Sequence, residues 1–77
     1  MEKRIVQIET FPVELCKVLK FENLASSGGE AKFMISDGLV KVNGTIETRK
    51  RKKIFPGDII ETGDQMIEIR RMPSESR

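Results

Sequence analysis

Apolar residues change their spacing repeatedly along this chain, and each change marks a new element. Residues 3–8 (Lys-Arg-Ile-Val-Gln-Ile) are short and β-branched, which predicts a strand, and Glu9-Thr10-Phe11-Pro12 then turns the chain. Pro12 suits a first helical position. Pro12, Leu15, Cys16 and Leu19 recur at helical spacing while Glu14 and Lys17 face away, predicting a first helix over about 12–21. Leu24 anchors the connection that follows. Ser27-Gly28-Gly29-Glu30 reads as a capping box: Ser27 receives the third amide of a helix starting at 28, and Glu30 reaches back to the cap. The stripe of this second helix is Ala31, Met34 and Ile35, and Gly38 is placed to stop it.

The period then becomes two, in Leu39-Val40-Lys41-Val42. Asn43-Gly44 predicts a tight hairpin turn, with Thr45-Ile46-Glu47-Thr48 as the return strand. Phe55-Pro56-Gly57-Asp58 has Pro second and Gly third, the pattern of a turn. Ile59-Ile60-Glu61-Thr62 and Met66-Ile67-Glu68-Ile69-Arg70 complete a final hairpin around Gly63-Asp64-Gln65. The expected class is α+β, two short helices packed on a small, mostly antiparallel sheet. One domain over residues 1–71, with its N-terminal strand at 3–8, and a flexible tail over 72–77 account for the whole length.

Composition narrows the chemistry. The chain is 38% hydrophobic and 34% charged, enough apolar residues for a core in a single small domain of 77 residues. Its single cysteine, Cys16, falls on the apolar face of the first helix and reads as a buried thiol, with neither an internal disulfide nor a thiolate metal site open to it. A cytoplasmic setting is expected, since no apolar run approaches the roughly 18 residues that span a bilayer and no signal-like segment opens the chain. There is no histidine, and Asp37, Asp58 and Asp64 belong to separate turns. The usual general base, nucleophilic pairs and zinc ligand sets are missing, so the expectation is no catalysis, no metal, no cofactor and no small-molecule substrate.

Charge supplies the positive signal. The net charge is only +2, yet residues 1–38 carry five Lys/Arg against six Asp/Glu, residues 39–53 six against one, and residues 54–77 three against five. The excess lies in Arg49-Lys50-Arg51-Lys52-Lys53, a footprint for a polyanion on a near-neutral body. If this run is extended, Arg49, Arg51 and Lys53 share one face; if it is a loop, all five can converge. Lysines guarding an exposed sheet edge are the alternative, although five in succession exceed that need.

The ordered series Leu15, Leu19, Ala25-Ser26-Ser27, Glu30-Ala31-Lys32, Ile35, Gly38-Leu39-Val40-Lys41-Val42-Asn43-Gly44 and Pro56-Gly57-Asp58-Ile59-Ile60 resembles the S-four-type RNA-binding domain, the αL fold. In size the chain is similar to the small stand-alone bacterial members. The resemblance implies RNA binding without catalysis. Lys32 matches the family's second basic helix position, while Gly28 stands where the family usually has Arg and Gly29 where Ser is common.

The candidate RNA-binding residues are accordingly Ser27, Gly28, Gly29, Lys32, Lys41, Arg49, Lys50, Arg51, Lys52 and Lys53. Ser27-Gly28-Gly29 offers free amides at a helix start to a phosphate, or is simply a cap. Phe33 projects away from the core stripe, either to meet an unpaired base or a protein partner, or to lie beneath the N-terminal strand or a loop. Phe11, Phe21 and Phe55, at element ends, are expected to plug the core. The expected partner of this monomer is structured RNA, ribosomal or transfer RNA, the ribosome included, with no membrane. Two rivals are a basic protein-interaction module docking on an acidic partner and a helix-turn-helix that binds DNA, the latter with few side chains able to read base edges.

Overall fold

Alternation decides which face of the sheet is covered. A computed structural model describes residues 2–73, which form β1 (Glu2–Ile8), β2 (Val13–Glu14), α1 (Leu15–Phe21), α2 (Gly28–Ser36), β3 (Val40–Val42), β4 (Thr45–Ile46), β5 (Lys53–Ile54), β6 (Ile59–Thr62) and β7 (Gln65–Arg71). Five strands make one sheet in the order β1-β7-β6-β3-β4, antiparallel except for the parallel pair β1 and β7, while β2 and β5 pair separately. This is the expected α+β class with a mostly antiparallel sheet. Val42, Ile60 and Ile67 stand side by side across β3, β6 and β7, all buried, and Lys41 between Val40 and Val42 is exposed.

Against that apolar face α1 sets Leu15, Cys16, Val18 and Leu19, and α2 sets Ala31 and Ile35. The α1 stripe is wider than the spacing predicted, because Val18 is buried too. Each fully buried Leu, Ile or Val contributes about 1.5–3 kcal/mol. An exposed ion pair gives roughly 0–1 kcal/mol, so this cluster and not surface charge holds the layers together.

The first helix begins three residues later than expected. Val13 and Glu14 are extended and pair with Ile54 and Lys53, and Pro12 is exposed outside the helix. Val13, β-branched and half-buried against the core, gains a ladder partner there that a first helical turn would deny it. The return strand after Asn43-Gly44 is correspondingly short, ending at Ile46, and Lys53–Ile54 is a strand that the basic run had concealed. Gln65 belongs to β7, opposite Thr62, which leaves Gly63-Asp64 as the turn. Leu39, expected in the strand, precedes β3 and is half-exposed. Met72 donates its amide to Ile8 O at 2.9 Å, so the chain is still tied to β1 at the position where the tail was expected to begin. Residues 74–77 of that tail lie outside the described residues.

The two turns on which the family resemblance leaned touch each other. Gly57 has φ +96° in the Phe55–Asp58 turn, closed by Asp58 N donating to Phe55 O at 3.1 Å, and the left-handed position is one that glycine takes without a Cβ clash. Asn43, at φ +54° in the hairpin turn, donates Nδ2 to Asp58 Oδ1 at 3.0 Å and accepts from Ile59 N through Oδ1 at 2.9 Å. Asp58 Oδ2 in turn accepts from Phe55 N at 2.8 Å. Asn-Gly and Pro-Gly-Asp are therefore two halves of one hydrogen-bonded corner that aligns β3 with β6.

Asn43→Ala is expected to cost about 1–3 kcal/mol, from lost side-chain bonds and a non-glycine residue without a polar side chain in the left-handed region. Asn43→Gly, which loses the bonds but relieves the backbone, should cost less. Chemical denaturation of the three proteins measures both; equal losses would remove the backbone contribution.

Candidate nucleic-acid interface

The basic run becomes a turn followed by a strand. Lys52 N donates to Arg49 O at 3.2 Å, closing the turn over residues 49–52, and β5 then carries Lys53 exposed and Ile54 buried. Leu15 N donates to Lys52 O at 2.9 Å, so the run ends against the start of α1. Of the two geometries open to this run, the structure adopts the loop-like one.

That junction gathers cations from three places in the sequence. Lys17 and Lys20 from α1, Gly28 and Lys32 from α2, and Arg51 from the turn line one shallow depression of about 370 Å³, together with Glu14 and Cys16. A second depression, about 390 Å³, is lined by Arg49, Arg51, Lys52 and Lys53. Arg51 borders both, so the two form one strip. Lys17 and Lys20, not among the residues singled out from the sequence, lie three apart on the exposed side of α1, and their helical spacing was the available signal. Among the described residues, no carboxylate forms an ion pair with Lys17, Lys20, Lys32, Lys50, Arg51, Lys52 or Lys53.

Other cations are already engaged. Lys3 and Arg70 both reach Glu68, at 3.2 and 3.1 Å, and the Arg71 guanidinium lies 5.1 Å from the Phe11 ring centroid. Arg49 is held by Glu47 in a two-point pair, Nε to Oε2 at 2.9 Å and Nη2 to Oε1 at 3.2 Å, and its amide donates to Oε2 at 3.0 Å. These bonds hold the Glu47 carboxyl down to about 2 and push the Arg49 guanidinium up. Arg49 is thus the least available member of the basic run. Lys41 is set apart for a different reason: it points to the helix-free face of the sheet, beside Glu61 and Ile46 in register, and does not join the strip.

The start of α2 is a cap with its acid turned aside. Ser27 Oγ accepts from Glu30 N at 3.1 Å, as the sequence predicted. The return bond differs: Glu30 Oε1 accepts from Ser26 N at 2.7 Å and from the Ser26 hydroxyl, not from the Ser27 amide, and these bonds lower the Glu30 pKa. The carboxylate is thereby anchored to Ser26. The first amides of α2, those of Gly28 and Gly29, have no acceptor within the helix.

The aromatic residues also depart from expectation. Only Phe11 of the three expected core plugs packs against the core; Phe21 is 64% exposed and Phe55 49%. Phe33 is 61% exposed, so neither the N-terminal strand nor a loop covers it. Phe21 ends α1 on the side of Lys17, four residues earlier, away from the stripe formed by Leu15, Val18 and Leu19. Cys16 is buried, as expected, with Sγ 3.9 Å from Glu14 Oε1. Among the described residues no group of His, Cys, Asp and Glu could hold a metal ion, and no helix is long and apolar enough to cross a membrane.

A pair of helices on this sheet, with Asn43-Gly44 bonded to Pro56-Gly57-Asp58 and a cationic strip along the helix side, defines an αL domain. Residues 6–70 match the S4 domain family, and the chain belongs to it. Over 57 residues it is 44% identical to the Escherichia coli (strain K12) protein named "Putative RNA-binding protein YbcJ", covering 74% of this chain and 81% of that one. It is 34% identical over 56 residues to the Bacillus subtilis (strain 168) protein named "Probable ribosome maturation protein RlbA", covering 73% and 79%. The solution structure of YbcJ, described as revealing an αL motif involved in RNA binding, superposes with a TM-score of 0.67 at 39% identity, covering 86% of this chain and 85% of that one.

The Glu47–Arg49 pair makes a pH prediction. A carboxyl whose folded pKa lies below its unfolded value stabilises the fold fully above the unfolded value, near 4.5, and loses that contribution as pH falls toward 2. Carboxyl-carbon NMR should give Glu47 a midpoint near 2. Glu47→Gln should remove the pH-dependent step and free Arg49; a midpoint near 4.5 would mean the pair does not form in solution.

Proposed function

We propose that this protein binds structured RNA, with ribosomal RNA as the first candidate and transfer RNA the second, through phosphate contacts and shape and without catalysis. The observation that carries the reading is the strip of unpaired cations in which Lys17, Lys20, Lys32 and Arg51 surround Gly28 and continue into Lys52 and Lys53. Relatives named for RNA binding and for ribosome maturation support the same direction. The strip joins two helices and a turn, so its cations are spread over a surface and not along one extended segment, an arrangement matched to phosphates on two strands of a folded RNA. Each phosphate neutralised releases condensed counterions, which makes the affinity steeply salt-dependent.

In this reading Ser27, Gly28, Gly29 and Lys32 form one border of the contact and residues 50–53 the other, with Lys17 and Lys20 between them. Arg49 contributes less because Glu47 already holds it, and Lys41 lies outside the contact. Residues 1–71 act as one binding unit, in the cytoplasm, where ribosomal and transfer RNA are found. A helix-turn-helix on DNA is disfavoured by the glycines at the start of α2, which present no side chain to a base edge.

Binding to a ribosomal RNA hairpin at several salt concentrations tests the proposal. About five phosphate contacts predict a slope of log affinity against log salt of roughly −3.5 to −4.5. Duplex RNA should outcompete duplex DNA. Lys17→Ala/Lys20→Ala/Lys32→Ala should flatten the slope by about 2–3 with little change in melting temperature, since exposed charges contribute little to folding. Arg51→Ala should weaken binding more than Arg49→Ala. A slope near zero, or equal competition by DNA, would remove the reading.

A further inference from the structure

A third depression adjoins the strip and differs from it in having the apolar side chains Pro12, Val13 and Phe21 in its lining. Thr10, Pro12, Val13, Glu14, Lys17, Phe21 and Lys53 line a volume of about 390 Å³, near the lower end of the roughly 300–1,000 Å³ typical of small-ligand sites. Lys17 and Glu14 also line the first cationic depression, and Lys53 the second, so the three are contiguous. An exposed phenylalanine standing alone is ordinary on a protein surface. Phe21 is distinguished by its setting: it shares a recess with Pro12 and Val13, and the two ammonium groups of Lys17 and Lys53 on its border outnumber the single carboxylate there, Glu14.

We propose that the recess between Pro12 and Phe21 receives an unpaired nucleobase of the bound RNA, stacked on Phe21, while Lys17 and Lys53 hold the phosphates on either side of it. The proposal rests on the RNA-binding reading above and adds the class of RNA: a stem interrupted by a bulged or looped-out nucleotide. Charge complementarity selects this occupant. An apolar peptide side chain would gain nothing from Lys17 and Lys53, whereas a nucleotide presents an aromatic face and an anion within one residue's reach. A base inside a duplex has no free face to offer, so the recess discriminates between paired and unpaired RNA even though the cationic strip accepts both.

The test uses the full chain and two RNA hairpins with the same stem, one fully paired and one carrying a single unpaired 2-aminopurine. The wild-type protein should bind the bulged hairpin tighter by roughly 5- to 150-fold, the range of one base stacked on an aromatic side chain, with a change in 2-aminopurine fluorescence. Phe21→Ala should bind the paired hairpin as the wild type does, and lose both the preference and the fluorescence change; Phe21→Trp should restore them. Phe33→Ala, which removes an equally exposed ring outside the recess, should keep the preference. The proposal is overturned by a wild type that binds both hairpins equally, by a Phe21→Ala variant that retains the preference, or by equal loss in Phe33→Ala. Failure of the wild type to bind either hairpin would instead overturn the RNA reading itself.

Discussion

The short ladder between β2 and β5 is the constraint on which the cationic surface depends. It has only two residue pairs, Val13 with Ile54 and Glu14 with Lys53, extended by the bond from Leu15 N to Lys52 O. Ile54 is wholly buried and Lys53 exposed, so a slip of one residue would send the ammonium into the apolar cluster and the isoleucine into water. That penalty fixes the register. Because α1 starts at the residue after β2, the same register sets where Lys17 and Lys20 stand relative to Arg51 and Lys53. Charges more than thirty positions apart in sequence are thereby held on one surface by one buried and one half-buried apolar side chain, Ile54 and Val13.

Gathering like charges opposes folding, and the structure keeps the opposition small by leaving the cations in water. At 4 Å two like charges repel by about 1 kcal/mol in bulk water but several-fold more in a partly buried setting. The cations of the strip are on the surface, with only Lys52 half-buried. On the helix-free face of the sheet Glu68 takes both Lys3 and Arg70, although among the described residues Lys41 on that face has no ion pair. On the RNA-binding reading, cations held by a carboxylate serve the fold's own charge balance, and those of the strip remain for an external anion. Arg49 falls in the first group although it opens the basic run.

Periodicity located most of the elements, because α2, β3 and β7 each follow a single repeat with a clear cap or turn at an end. It misplaced the start of α1, where Pro12 is as compatible with the approach to a strand as with a first helical turn, and only the distant Ile54 decides between them. For the same reason β5 was hidden: two residues of strand inside five cations leave no alternation to detect. Sequence reasoning named Lys32 and the run 49–53, but it counted charge along the chain and so grouped Lys41 with them and passed over Lys17 and Lys20. Lys41 separates because its neighbours Val40 and Val42 are buried toward the helices. The exposure of Phe21 was illegible for a related reason, since an aromatic residue at a helix end faces the core or water according to a rotation of one residue in the stripe.

The glycines at the start of α2 acquire a meaning from what surrounds them. A Cβ at Gly28 would meet nothing within 4 Å, and one at Gly29 only Ser27 Oγ at 3.8 Å, so packing does not demand glycine at either position. Members of the family usually carry an arginine where Gly28 stands, yet Arg51 from the turn before β5 lines the same depression as Gly28. On the RNA-binding reading, the cation has moved from the helix to a facing segment, and the helix keeps bare amides with Glu30 drawn toward Ser26. On the same reading the basic run complements Lys32, the cation that α2 keeps in this depression: the segment held opposite the helix by β2 and β5 adds the charge that Gly28 does not carry.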